Sequence, residues 1–146
     1  MPSPSHDDLE CLRRWFRAWE ACVRDVDYGS ARTLFDANVI SFGTHAEIVS
    51  GLDALEAQQW SAIWPRIADF RFVVEMLHGE IARDHAWAAV PWTSTGFDQS
   101  GAAFDRPGRA TVTLRRDGAR WRGVHTHFSL KPGTPQRTYG RPKPGT

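Results

Sequence analysis

The last third of the chain constrains the fold most. From Arg109 to Leu130 it reads as two long strands joined by a tight polar turn, Arg116-Asp117-Gly118-Ala119-Arg120, and it closes on Trp121 and His125-Thr126-His127-Phe128-Ser129-Leu130. Gly and Asp between two β-rich runs are a hairpin signal. Such a hairpin placed behind two or three amphipathic helices implies a curved sheet wrapped around a pocket.

The helices are read from periodicity. Leu9, Leu12, Phe16, Trp19, Val23 and Val26 recur at spacings of three and four, the stripe of one long helix, and Ser5 with Asp8 offers a capping box at its start. A short second helix is predicted over Gly29 to Phe35, with Leu34 and Phe35 turned inward. A β-rich run, Val39 to Phe42, leads into a Gly43-Thr44-His45 turn and a second short run through Ile48 and Val49. Ser50 and Asp53 suggest another capping box for a third helix, which Pro65 should end by biasing Trp64 away from helical geometry. Its stripes are Leu55, Gln59 and Ile63, with Trp60 and Trp64 beside them.

A β meander follows. Phe70, Phe72, Val74 and Met76 alternate with polar or smaller neighbours in a strand predicted to turn at Arg83-Asp84-His85. A second strand runs from Ala86 to about Phe97, and a third begins near Phe104, distorted by Pro107-Gly108. Helices first and a mostly antiparallel sheet afterwards give an α+β class, with the interior of a cone between helices and concave sheet. One domain is expected over 6–131, and 132–146, rich in Pro and Gly, reads as a tail or an arm on a partner.

Composition removes several function classes. A formal charge of +1 gives no global reason to expect nucleic acid or an anionic membrane as partner. No apolar run approaches the roughly 20 residues that cross a bilayer, and the N-terminal Met-Pro-Ser-Pro-Ser-His-Asp-Asp lacks the basic and apolar regions of a secretory leader. The expectation is a cytoplasmic protein. Sixteen of the 18 basic residues are arginine, the usage of a high-GC bacterial genome. Cys11 and Cys22 lie eleven residues apart in the first helix, about 16 Å along its axis, too far for a disulfide with each other.

The order of elements, with Phe42-Gly43-Thr44-His45, Gln59-Trp60, Ile63-Trp64-Pro65, Gly108-Arg109-Ala110-Thr111 and the His-x-His-Phe-Ser ending, resembles the SnoaL-like branch of the nuclear transport factor 2-like superfamily over about residues 6–136. The resemblance implies a cone-shaped, curved, mixed but mostly antiparallel sheet around N-terminal helices. It leaves function open among polyketide cyclases, ketosteroid isomerases, dehydratases, epoxide hydrolases and noncatalytic association domains. Steroid isomerases of this kind carry a proton-shuttling aspartate near the end of the first strand, where this chain reads Val39-Ile40-Ser41-Phe42. Association domains of calmodulin-dependent kinases line the pocket with basic residues at positions matching Trp92, Thr111 and Phe128. Their replacement here implies a more apolar pocket that prefers flat apolar ligands to small anions.

Candidate chemistry is sparse. His125 and His127 share one face of a strand, as a metal or acid–base pair would, or as a structural or interface pair. The apolar alternate set Val124, Thr126, Phe128 and Leu130 favours the second, with Trp121, His125 and His127 turned outward toward a partner copy in a homodimer. His45, at a pocket rim, is either a loop residue held by hydrogen bonds or the first candidate acid or base. Leu55, Gln59, Trp60, Trp64, Trp92 and Phe128 are candidate ligand contacts, because aromatic walls suit a flat apolar ligand. Arg109 and Thr111 are candidate polar positioners on one face of the third long strand, or, for Arg109, a surface or dimer ion-pair partner. No metal site and no cofactor are expected. Two function classes remain: a small-molecule-binding protein, with or without cofactor-free proton transfer on a hydrophobic carbonyl compound, and a noncatalytic association module.

Overall fold

A computed structural model describes residues 5–142; the first residues of the N-terminal stretch, 1–4, and the end of the expected tail, 143–146, lie outside the described residues. Helix α1 (His6–Asp25) starts where Ser5 accepts a hydrogen bond from the Asp8 amide, and it ends at Val26, which turns into the left-handed region at φ 52°. Its buried stripe of Leu12, Trp15, Phe16, Trp19, Cys22 and Val23 lies on the concave face of the sheet. Three side-chain ties fix its pose: Glu20 accepts from the Phe72 amide at 2.7 Å, and Trp15 Nε1 and Arg13 Nε donate to the carbonyls of Trp121 and Val74.

The second helix differs from expectation. Helix α2 covers Tyr28–Arg32, capped by Asp27, and strand β1 begins already at Phe35 and runs to Phe42. Phe35 is buried as expected, but from a strand: its ring packs edge-on to Trp15, Trp19 and Trp60. Strand β2 is Val49–Ser50.

The third helical segment is not regular. It comprises α3 (Leu52–Leu55), a π-helical turn (Glu56–Trp60), α4 (Ser61–Ile63) and a 3-10 turn (Trp64–Arg66). The Ser50–Asp53 capping box does not form; Gly51 is the N-cap without a side-chain bond, and Asp53 pairs instead with Arg32. Pro65 does not stop the segment, because it occupies the first turn of the 3-10 helix, where its missing N–H costs nothing. The wide π turn brings two consecutive residues, Gln59 and Trp60, to the inside.

The meander holds with one interruption. Strand β3 (Ala68–Phe72) ends four residues before Met76, because Val74–Met76 form a 3-10 turn; β4 (His78–Ala82) follows and pairs with β5 (His85–Phe97). Strands β6 (Ala103–Asp105) and β7 (Gly108–Asp117) run along one edge of β5, separated at Arg106-Pro107. Strand β8 (Arg120–Leu130) completes the hairpin and pairs parallel with β1. The sheet order is β2-β1-β8-β7-β5-β3. All its pairs except β1–β8 are antiparallel.

One bulge corrects the outward set. Thr113 pairs with His125 but Leu114 pairs with Gly123, so Val124 is the extra residue and the side-chain alternation reverses there. Toward the C-terminus Thr126 and Phe128 face the core, with His125 and His127 outside; toward the N-terminus Gly123 and Trp121 turn inward. Trp121 therefore does not share the outer face with the two histidines. It packs at the edge of the core under the Arg116 guanidinium, 4.7 Å from the ring centroid.

Past the last strand the chain returns to its own domain. Thr138 is buried and accepts from the Phe97 amide at 3.0 Å while donating to the Arg66 carbonyl at 2.7 Å; Tyr139 donates its amide to Phe97, and Gln136 donates to the Thr44 carbonyl at 2.6 Å. These bonds lay residues 136–139 across the open end of the cone.

Candidate functional site

The concave sheet face, α1 and the Leu52–Arg66 segment enclose a cavity of about 40 Å³. Its walls are mostly aromatic. Trp60 and Trp64 stack at 4.7 Å between ring centroids, Trp92 leans on Phe128 at 5.9 Å, and Phe128 meets Trp19 edge-on at 5.3 Å. The rings fill most of the cone by packing on one another. The remaining space suits a group of a few heavy atoms, since one water takes roughly 10–15 Å³ of such volume. A wider groove of about 380 Å³ lies outside, lined by His45, Arg66 and residues 136–139, and it shares Thr44 and Ile63 with the cavity.

Six of the sequence candidates come together here: Leu55, Gln59, Trp60, Trp64, Trp92 and Phe128 all line the cavity. Three do not. His45 is exposed and borders the outer groove. Arg109 and Thr111 lie on the opposite face of the sheet, because Ala110, Val112 and Leu114 are the residues of β7 that turn inward. There Arg109 Nε donates to Ser129 Oγ at 2.8 Å.

Gln59 is a structural centre of the site. Its Oε1 accepts from the amides of His45 and Ala46 at 3.1 and 2.8 Å, and its Nε2 donates to Thr44 Oγ1 at 3.3 Å. The turn is further closed by the Gly43 amide donating to Ala46. Any side chain at Gly43 would overlap the Gln59 amide, which explains glycine at that position. The clamped turn holds Thr44 at the junction of cavity and groove. Deeper, Ser41 on β1 and Thr126 on β8 share a buried hydroxyl–hydroxyl bond of 2.6 Å.

Sequence reasoning missed the one charged residue that lines the cavity among the described residues. Arg106 sits in the gap between β6 and β7, is 1% exposed, and lines the cavity wall. Its backbone is held on both sides by Ser94: the Arg106 amide donates to the Ser94 carbonyl, and Ser94 Oγ donates to the Arg106 carbonyl, both at 2.8 Å. Its Nη2 donates to Thr44 Oγ1 at 3.0 Å, and its guanidinium carbon stands 5.5 Å from the centroid of the Trp92 ring. Burial pushes its pKa down to about 10, so the group is still cationic at neutral pH. The signal was available: the inward register of Ala110, Val112 and Leu114, carried back through Gly108, reaches Arg106. The distortion at Pro107 concealed it. The expectation of a cavity without a charge partner for an anion is therefore corrected.

Among the described residues, no Asp, Glu or His lines the cavity. Among the described residues, no three of His, Cys, Asp and Glu stand close enough to hold a metal ion, and no helix is long and apolar enough to cross a membrane.

Comparison with known proteins agrees with this architecture. The family model described as SnoaL-like domain matches residues 12–132. Among functionally curated proteins none matches this sequence. Several solved structures share the fold. A nuclear transport factor 2-like protein of unknown function from Pseudomonas putida is 24% identical, with a TM-score of 0.72 over 97% of this chain and 100% of that one. The association domain of C. elegans CaMKII is 16% identical, with a TM-score of 0.64 over 82% and 93%. A candidate aromatic ring hydroxylase from Novosphingobium aromaticivorans is 14% identical, with a TM-score of 0.68 over 86% and 90%. Neighbours so different in name share the cone, so at these identities the likeness speaks for fold alone. With the family model spanning most of the chain and the curved sheet closing over α1 in the fold of nuclear transport factor 2-like proteins, the protein belongs to the SnoaL-like family.

Proposed function

We propose that this protein is a small-molecule-binding member of its family, with the ligand seated in the aromatic cavity and extending into the groove beside Thr44 and Ile63. The observation that carries this reading is the convergence of Leu55, Gln59, Trp60, Trp64, Trp92 and Phe128 on one cavity with few polar groups. Binding is favoured over proton-transfer catalysis. An isomerase or dehydratase needs a group that titrates near the working pH within reach of the reacting carbon. Among the described residues the cavity lining includes no Asp, Glu or His, and His45, the candidate acid or base, is exposed outside it.

Single-ring compounds, neutral ones included, should quench tryptophan fluorescence saturably. Ile63→Trp, at the shared wall, should block that response while shifting Tm by only a few degrees, since Ile63 is half-buried. Absence of saturable binding by any such compound to the parent protein would remove the reading.

A homodimer through the outer sheet face is proposed alongside it. Ile40, Phe42 and Trp87 are large apolar side chains exposed on that face, and Phe42 packs edge-on between His125 and His127 at 5.3 and 5.2 Å. Apolar groups clustered this way mark an interaction surface. One structural neighbour is itself an association domain. Light scattering at micromolar concentration should give twice the monomer mass, and Phe42→Glu should halve it; a parent protein that runs as a clean monomer would dismiss the dimer.

A further inference from the structure

We infer that Arg106, with the indole N–H groups of Trp19 and Trp92, forms a subsite for the carboxylate, or an isoelectronic enolate oxygen, of an apolar monoanionic ligand. This rests on the reading of the cavity as a ligand site and adds the charge and polarity of what enters it.

The hydrogen-bond inventory points this way. Among the described residues three buried side-chain nitrogens have no partner: Trp19 Nε1, Trp92 Nε1 and Arg106 Nε. All three are donors, and all three belong to residues that line this one cavity. The acceptors nearby are already engaged. Thr44 Oγ1 receives both Arg106 and Gln59, Gln59 Oε1 receives two amides, and Ser41 and Thr126 hold each other. Buried donors left unmatched are expensive, so the cavity calls for a group that only accepts.

Charge narrows the class. Every ion pair among the described residues uses an arginine other than Arg106. An unpaired buried guanidinium destabilises a fold, and the Trp92 face offsets only part of that. A methionine would fill similar space without the penalty. One guanidinium balances one negative charge, which fits a monoanion and disfavours a phosphate dianion. The cavity, about 40 Å³, takes a planar carboxylate and little more, leaving the hydrocarbon body to pass Ile63 into the groove. Guanidinium and carboxylate also match in shape, with two parallel N–H donors facing two oxygens.

The test compares benzoate with benzamide and butyrate with butyramide, on the parent protein and on Arg106→Met, Arg106→Lys and Thr44→Val, by calorimetric titration with Tm recorded for each variant. The parent should bind each carboxylate at least tenfold more tightly than its amide. Arg106→Met should lose that preference while keeping amide binding within about threefold, and Arg106→Lys should keep part of it. Without ligand, Arg106→Met should melt no lower than the parent, the mark of a cation retained for binding rather than for stability. Thr44→Val guards against a misfolded Arg106 variant: it should weaken carboxylates more than amides, because Arg106 loses the oxygen that orients it. Equal binding of acid and amide by the parent overturns the inference and leaves the ligand-site reading standing. An acid preference that survives Arg106→Met, or a fall in Tm for that variant with unchanged preference, also overturns it. No binding of any compound to the parent overturns both.

Discussion

Replacing Trp92 with alanine is expected to cost about 3 kcal/mol of stability, at the lower end of the roughly 3–5 kcal/mol typical for deleting a buried large aromatic. Trp92 is 1% exposed, lies against Phe70 and Phe128, and is faced by the Arg106 guanidinium. The cost stays at the lower end because the indole N–H is buried without a partner, and its removal relieves that penalty. For a domain of this size about 3 kcal/mol corresponds to a fall in Tm of roughly 10 °C. The vacated space joins the existing cavity, so a flat apolar compound such as indole should restore several degrees by binding only the folded state. Thermal unfolding with and without indole measures both effects. A fall of less than about 3 °C would show that Trp92 is not a filled part of the core.

Substitution of Gly108 by alanine should be nearly as damaging, although it adds a single methyl group. Gly108 pairs with Trp92 on β5 and with Leu130 on β8, and a Cβ there would overlap both the Trp92 ring and the Ser129 carbonyl. One of the obstacles is backbone, so rotamer change alone cannot relieve it. A cost of about 3 kcal/mol, the upper part of the usual overpacking range, is expected. The double variant Trp92→Ala/Gly108→Ala should be more stable than the sum of the single losses implies, because the ring clash disappears and only the carbonyl contact remains. Denaturant unfolding of the four proteins gives the coupling; strict additivity would mean that ring and Cβ do not meet.

How legible the site was depends on what fixes each residue. Leu12, Phe16, Trp19 and Val23 announce their burial because a helix repeats every 3.6 residues, and no neighbour had to be known to place them. Trp60 and Trp64 are one helical turn apart, and the aromatic wall followed from that spacing even though the segment takes a π turn. Arg109 and Thr111 were misplaced, as was Trp121. For a strand, one residue of slip or one bulge moves a side chain to the other face, and local sequence does not reveal a bulge such as the one at Val124. The apolar set Ala110, Val112 and Leu114 carried the right parity for β7, and it reached Arg106 only through the break at Pro107.

The order of elements, the α+β class and the aromatic character of the interior are written locally in the chain. These follow from periodicity and turn chemistry, which act over a few residues. The polarity of the cavity arises only from long-range packing. Arg106 is ionic chemistry in a mostly apolar wall because Ser94 holds its backbone and the Gly43–Ala46 turn, clamped by Gln59, brings Thr44 to its guanidinium. The residues involved lie 12, 62 and 47 positions from Arg106 along the chain. No local pattern encodes such a meeting. It exists only once the sheet has curved around α1 and the helical segment has closed over it.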